Sequence, residues 1–468
     1  VEKMRLNTIK NFIKKNILAS FLAFACISAG GIFTSCGSTK AVDTSTLGSP
    51  EDFTRRLLSN GVPVIFKQNR GSKIIVLRLI FEGGSSTIDK SMGGIEAMTL
   101  ELALHGSESY KYADIQKLEY EKSFSLSSSS GRDYSTAGFV CIQRDLAEVI
   151  NIFTDCIMNP AFLESDFNKK MQETSSEIAA KKADPSGALG NAIAKVAFDN
   201  HPYSTTTSVT EESYPNISLT MIKGIHQSLL NALRLKIVVT GNFSHDLIES
   251  LVSELDGTIG QIPRKAYSAP KIPKIPVSTN TVRIANEQAG DTGYIAGLFE
   301  CPSRLDPNYI PFAIASMYID DLFFSQVREK AGAVYSINSG IIGGKELLGV
   351  ISIYKASEKK NLKKLVCEAI DSFSEEEITK KLEQYKNKYI TSIFSSSQTA
   401  SGLTGSVISS LEYFGSESAY LGRADQVAAV EAKQVVSAYK KYFEPISKQN
   451  AAQWIIVDGE ENLEEYEF

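Results

Sequence analysis

Val327-Arg328-Glu329-Lys330-Ala331-Gly332-Ala333-Val334-Tyr335-Ser336 joins a helix to a strand. Helical spacing runs over Tyr309–Lys330 and stops at Gly332, a residue type that commonly closes helices. Arg328 falls in the last turn, and Tyr335 opens an extended run. Tyr294–Phe299 upstream reads as a strand. Downstream come a strand over Leu348–Tyr354, a helix over Lys359–Phe373 and a last buried strand over Trp454–Val457.

The same order occurs earlier in the chain. Asn60-Gly61 makes a turn, and Val62–Phe66 and Ile74–Phe81 read as a strand pair closed by Gly83-Gly84. Gly93–Leu104 has helical spacing. Ser135–Ile142 alternates as a strand, and Asp145 stands where it would cap the helix Leu146–Met158. Glu164–Lys182 is a charged amphipathic helix ending at Asp184-Pro185, and Leu235–Thr240 is a buried strand ending at Gly241. The offset between matching elements is near constant, 218 residues from Gly241 to Gly459 and 212 from Ile142 to Tyr354. That regularity suggests duplication of an α+β unit. Pro263–Pro276, with four prolines and several lysines, is a semi-extended linker between the copies. Asp458–Phe468 holds six acidic side chains and reads as a solvated tail.

Composition narrows the function. In 468 residues, 43% are hydrophobic and 22% charged, which is ordinary globular usage. Lys+Arg total 49 against 54 Asp+Glu, so there is no basic footprint for nucleic acid. Six cysteines are too few for a disulfide scaffold, and Cys141 and Cys156 sit in apolar settings that suit buried free thiols. Any imidazole cluster must come from His105, His201, His226 and His245. No phosphate loop, dinucleotide fingerprint, Gly-x-Ser-x-Gly elbow or Cys-x-x-Cys is present.

The first 15 residues carry five basic side chains, and Asn16–Thr39 carries no charge. A basic stretch, an apolar stretch and small residues together read as a bacterial export signal. A membrane-spanning helix is the alternative, but the apolar core is short and broken by Gly30-Gly31. Phe33-Thr34-Ser35-Cys36 looks like a relaxed lipoprotein-processing box. The expected products are a signal peptide over residues 1–35, an acylated Cys36, a polar tether over 36–50 and a chain anchored to the cell envelope, on the periplasmic or extracellular side.

Several stretches, in this order and spacing, resemble the pitrilysin/insulinase family of zinc peptidases, which includes short bacterial members. They are Asn60-Gly61-Val62, Gly94–Ser107, Glu177-Ile178…Asp184-Pro185, His201-Pro202-Tyr203 and Val327–Ser336. The resemblance covers roughly residues 51–460. It implies an α+β clamshell of two homologous halves, each a mostly antiparallel sheet packed with helices. The expected halves are 51–263 and 281–468, joined by 264–280.

The family's catalytic helix carries His-x-x-Glu-His. Two histidines at i and i+4 share a helix face and bind zinc, and the glutamate activates the metal-bound water. The matching segment here is Gly94-Ile95-Glu96-Ala97-Met98-Thr99-Leu100-Glu101-Leu102. Ala97 takes the first histidine position, Leu100 the glutamate and Glu101 the second histidine. Glu177 matches the remote glutamate ligand, one residue short of the usual spacing. An alkyl group accepts no proton, so Leu100 removes the general base. The expected arrangement is a repacked helix with Ala97 and Leu100 as core, no metal and no catalytic residue. Glu96, Glu101 and Glu177 could serve another cation only poorly, since the first two are five apart on the helix. His105-Gly106-Ser107-Glu108-Ser109 is a decoy that lacks the second histidine.

The family's companion half presents an Arg and a Tyr to the substrate main chain, and Arg328 and Tyr335 match that pair. Their donors suit carbonyl oxygens. Dipole compensation by Arg328 and half-buried packing of Tyr335 stay open as structural roles. Ser123–Ser127, running on into Ser128–Ser130, alternates like an edge strand, either plain or able to receive a peptide by strand addition. His201 is expected to be structural. With the missing zinc motif and the lipid anchor at Cys36, the resemblance implies a noncatalytic, lipid-anchored subunit that helps a zinc-bearing homologue bind and cleave peptides. The alternatives are an envelope peptide-binding scaffold without proteolysis, and an active metalloendopeptidase with unusual ligands. No nucleic-acid partner is expected, and zinc is expected only in the companion.

Overall fold

Apolar runs without polar alternation need cover on both faces, and the computed structural model, which describes residues 47–468, shows how they obtain it. The signal segment 1–35, Cys36 and most of the tether lie outside the described residues. Among the described residues eleven strands form two sheets. The first contains β1 (Phe53–Leu57), β2 (Pro63–Gln68), β3 (Ile74–Glu82), β4 (Ser125–Ser130), β5 (Tyr134–Ile142) and β6 (Leu235–Gly241), in the order β1-β2-β6-β3-β5-β4. The second contains β7 (Thr281–Ala285), β8 (Gly293–Phe299), β9 (Val334–Gly343), β10 (Leu347–Ala356) and β11 (Gln453–Asp458), in the order β7-β11-β8-β10-β9.

Without β1, the sheets share one topology. The first strand of each runs parallel to the last, β2 with β6 and β7 with β11. The remaining neighbours are antiparallel. The chain is thus two homologous α+β halves, each a mostly antiparallel sheet packed with helices, and the shared strand order is what a duplicated unit leaves behind. One expectation fails: β2 and β3 are not a pair. β6, arriving more than 150 residues later, enters between them. Turn residues between two strands favour a hairpin locally, but the apolar β6 needs two neighbours and takes the central place.

The second sheet is buried on both sides. Ile295 and Phe299 of β8 face the large helical core with Trp454 and Ile456. Tyr294, Ala296 and Leu298 face a smaller core with Leu189 and Ala192. Those two belong to the helix Pro185–Ala197, which comes from the first half of the sequence and packs on β8 and β11. The exchange is reciprocal, because the helix Ala400–Phe414 packs on β3 and β6. On that helix the buried Glu412 accepts from Lys236 of β6 at 2.7 Å. A hydrogen-bonded joint adds to this: Tyr203 donates to Asp133 at 2.6 Å, and the Lys345 amide donates to the other oxygen of Asp133 at 2.8 Å.

Two local expectations are corrected. Asp145 stands at the head of the helix Leu146–Met158, yet its side chain makes no cap bond, receiving Arg144 Nε instead at 3.2 Å. Asp458–Phe468 is not a solvated tail. Tyr466 is buried and donates to Asp458 at 2.6 Å, and Phe468 lies 4.5 Å from the Trp454 ring. The acidic count hid three apolar anchors, Leu463, Tyr466 and Phe468. The four described cysteines are free thiols, with Cys141 and Cys156 buried as expected, and burial pushes both up to about 12.

Candidate functional site

The segment matched to the zinc helix does form a helix, Ile95–Ala103. Gly94 starts it at φ +81, and a Cβ there would lie 2.1 Å from the Val209 nitrogen, so the 207–209 loop can approach only a glycine. Ile95, Met98 and Leu102 face one core cluster, while Leu100 faces the main core under the first sheet. Glu96 is buried too. It accepts from Ser135 Oγ, with Arg234 at 3.9 Å, and burial raises its carboxyl above the usual range although Ser135 and Arg234 oppose this. Glu96 therefore turns away from any shared site with Glu101.

Ala97 and Glu101, one turn apart, line a small cleft of about 100 Å3. The opposite wall is the helix Glu164–Ala183, presenting Lys170, Thr174, Glu177 and Lys181. Three of the four positions matched to the metal site, Ala97, Glu101 and Glu177, thus come together, and Leu100 does not. Leu100 is core as expected. Ala97 is not: it is half-buried and lines the cleft, because a methyl group is too short to reach across to the neighbouring helix.

Sequence reasoning missed the residue that fills this place. Lys170 Nζ lies 2.7 Å from Glu101 Oε1, and the Lys170 side chain is only 14% exposed. Burial draws the ammonium down, but Glu101, with Glu177 and Glu173, more than offsets this and holds it above the usual lysine range. The available signal was spacing: Lys170, Thr174, Glu177 and Lys181 fall on one helix face. Zinc does not fit these residues. A methyl, an isobutyl group and a carboxylate already paired with an ammonium offer no tetrahedral donor set, and a divalent ion beside Lys170 would be repelled. Among the described residues no three His, Cys, Asp or Glu side chains converge as a metal site.

The four histidines serve elsewhere. His201 Nδ1 accepts from the Tyr203 amide at 3.1 Å and Nε2 donates to the Pro273 carbonyl at 2.9 Å, tying the linker down. His226 donates to the Ile157 carbonyl at 2.8 Å. His105 stacks on Tyr112 at 4.3 Å, and His245 is exposed.

Arg328 and Tyr335 are brought together. The helix Tyr309–Leu322 continues as a π-helical segment, Phe323–Lys330, and Gly332 at φ +60 turns the chain into β9. The Arg328 guanidinium lies 5.0 Å from the Phe324 ring and 5.8 Å from the Tyr335 ring. Tyr335 is 68% exposed, so it is not packing filler. Lys355, also missed, holds its ammonium 5.8 Å from the same ring. It sits at φ +54 in a bulge of β10, a backbone that redirects its side chain. These donors can hold carbonyl oxygens. β4 is an edge strand of alternating exposure, as expected from its serines.

Comparison with known proteins bears on this geometry. Residues 63–211 match the family described as insulinase (peptidase family M16), and residues 216–389 match the peptidase M16 inactive domain. The chain belongs to the insulinase family. An uncharacterized zinc protease of Mycobacterium leprae is 24% identical over 46% of this chain and 49% of its own length. The non-peptidase homolog YmxG of Helicobacter pylori is 21% identical over 45% and 48%. The chain thus spans about half the length of these curated relatives. The peptidase M16 inactive domain from Pseudomonas fluorescens superposes with a TM-score of 0.75 at 17% identity, covering 87% of this chain and 98% of that one. At that identity the likeness is one of fold.

Proposed function

We propose that this chain is a noncatalytic insulinase-family subunit, held at the cell envelope by an acylated Cys36, that acts beside a zinc-bearing homologue on peptides. One observation carries the reading: the helix that should hold zinc places Leu100 in the core and gives Glu101 to Lys170. On that helix neither the family's ligand pair nor its base for water is present. The name of the Helicobacter pylori relative, a non-peptidase homolog, supports it. Arg328 and Tyr335 then contribute donors to a peptide main chain, and β4 offers unpaired edge groups for strand addition.

Purified alone, the protein is expected to hold under about a tenth of an equivalent of zinc and to cleave no peptide. Stoichiometric zinc with chelator-sensitive cleavage by this chain unaided would end the proposal. Envelope tethering is tested by Cys36→Ser, which should release the protein from membranes. Partnership is tested by co-purification from membranes followed by Arg328→Ala in the reconstituted pair. Activity should fall while assembly survives, and unchanged turnover would leave an envelope peptide-binding scaffold as the better description.

A further inference from the structure

Away from the Lys170 cleft, a half-open cavity of about 410 Å3 lies beneath the loop that precedes the helix Tyr309–Leu322. The helices Ala400–Phe414, Arg423–Ala428 and Ala432–Tyr442 supply its other walls. Two guanidinium groups meet there on one ring. Arg304 Nη1 donates to the Tyr309 hydroxyl at 3.2 Å, and Arg423 lies 5.5 Å from the Tyr309 ring centre. Each is held by a second aromatic ring, Arg304 at 4.5 Å from Tyr413 and Arg423 at 4.6 Å from Phe414. Arg304 also donates Nε to the Gly344 carbonyl at 3.0 Å.

Arg423 is different: its guanidinium donates to no acceptor among the described residues. Neither arginine has a carboxylate of the described residues within 4.0 Å. Asp306 also lines the cavity, but its Oδ1 is committed to the amide and side chain of Asn308, both at 2.8 Å. Two guanidinium charges against the one carboxylate of Asp306 leave a positive balance about Tyr309, and with planar donors unused they favour an anion. A guanidinium matches carboxylate or phosphate with paired donors. The rest of the wall is apolar through Leu305, Ile310 and Val430 and polar through Gln426 and Gln434.

We propose that this cavity binds an anionic group, carboxylate or phosphate, carried on an apolar body, with Arg423 as its main partner and Arg304 as its second. The site stands whether or not the chain assists a peptidase.

Calorimetric titration of the full chain with N-acetyl-phenylalanine, with its amide and with inorganic phosphate tests it. The acid should bind once per chain, and the amide at least tenfold more weakly. Arg423→Gln should weaken the acid at least tenfold with an unchanged thermal midpoint. Leu305→Glu places a negative charge at the rim of the cavity. Leu305 is 71% exposed, so folding is spared and a comparable weakening is expected even if Arg423→Gln does not fold. Phosphate competing with the acid points to a phosphate-bearing ligand. The acid binding without phosphate points to a carboxylate such as a peptide terminus. The proposal is overturned if acid and amide bind alike, if none of the three binds, or if either folded variant binds the acid as the wild type does.

Discussion

A lysine ammonium and a divalent ion answer the same need, since each neutralises carboxylates that face one another across a cleft. Lys170 does this for Glu101 at 2.7 Å, with Glu177 close enough to add its field. Lys170→Met keeps the alkyl stem and removes the charge. It should cost about 1 kcal/mol of stability, a modest figure because Glu101 is 43% exposed and partly screened. Glu101→Gln added to that variant should recover most of the loss in urea denaturation, whereas additive losses would show that the two residues do not interact. Alkyl side chains at Ala97 and Leu100, which cannot ligate a metal, were legible in the sequence. Lys170 was not legible, because one lysine on a charged helix looks like any other until the helix facing it is known.

Asp320 gives a residue-scale dependence on pH. Burial pushes its carboxyl up to about 7, against the amide and hydroxyl of Ser339 and the charge of Lys388, with Asp321 adding to the rise. The folded protein therefore keeps a proton that the unfolded chain gives up from its ordinary value of 3.8. Stability from this group is present below that value and is lost as pH climbs towards 7. Asp320→Asn should match the wild type near pH 4 and exceed it in thermal midpoint at pH 8. A constant gap across that range would count against the shift.

At the scale of elements, the helix Ile95–Ala103 is held by structural contacts of its buried residues. Gly94→Ala would force a Cβ to 2.1 Å from the Val209 nitrogen at φ +81. It should cost more than about 2 kcal/mol in equilibrium unfolding, with the loop 207–209 losing protection from hydrogen exchange. Helices and strands were legible where periodicity is strong: Leu146–Met158, Tyr294–Phe299 and the edge strand of serines all stand near their expected places. Pairing was less legible. Nothing local in Val62–Phe81 says that β6 will enter between β2 and β3, since long-range apolar burial decides it. The terminal segment was misjudged for a related reason, as Tyr466 finds Asp458 only after β11 is in place.

At the scale of the molecule, the exchanged helices bind the halves into one unit. Separating the sheets would strip the helix Pro185–Ala197 from β8 and β11 and the helix Ala400–Phe414 from β3 and β6. Unfolding in urea should therefore be a single transition. Trp454, the only tryptophan and fully buried in the second sheet, should report the same midpoint by fluorescence as far-ultraviolet circular dichroism reports for the whole chain. Two separated midpoints would show the halves to be independent.

The helix Pro185–Ala197 leaves the ribosome long before the strands it covers, β8 and β11, have been made. Its apolar face has nowhere to go in the meantime. A growing chain of this design cannot finish its first half and then begin its second. It must stay loose until the strands of the second sheet have been made, and a chaperone that holds it is more useful to it than one that folds each half in turn.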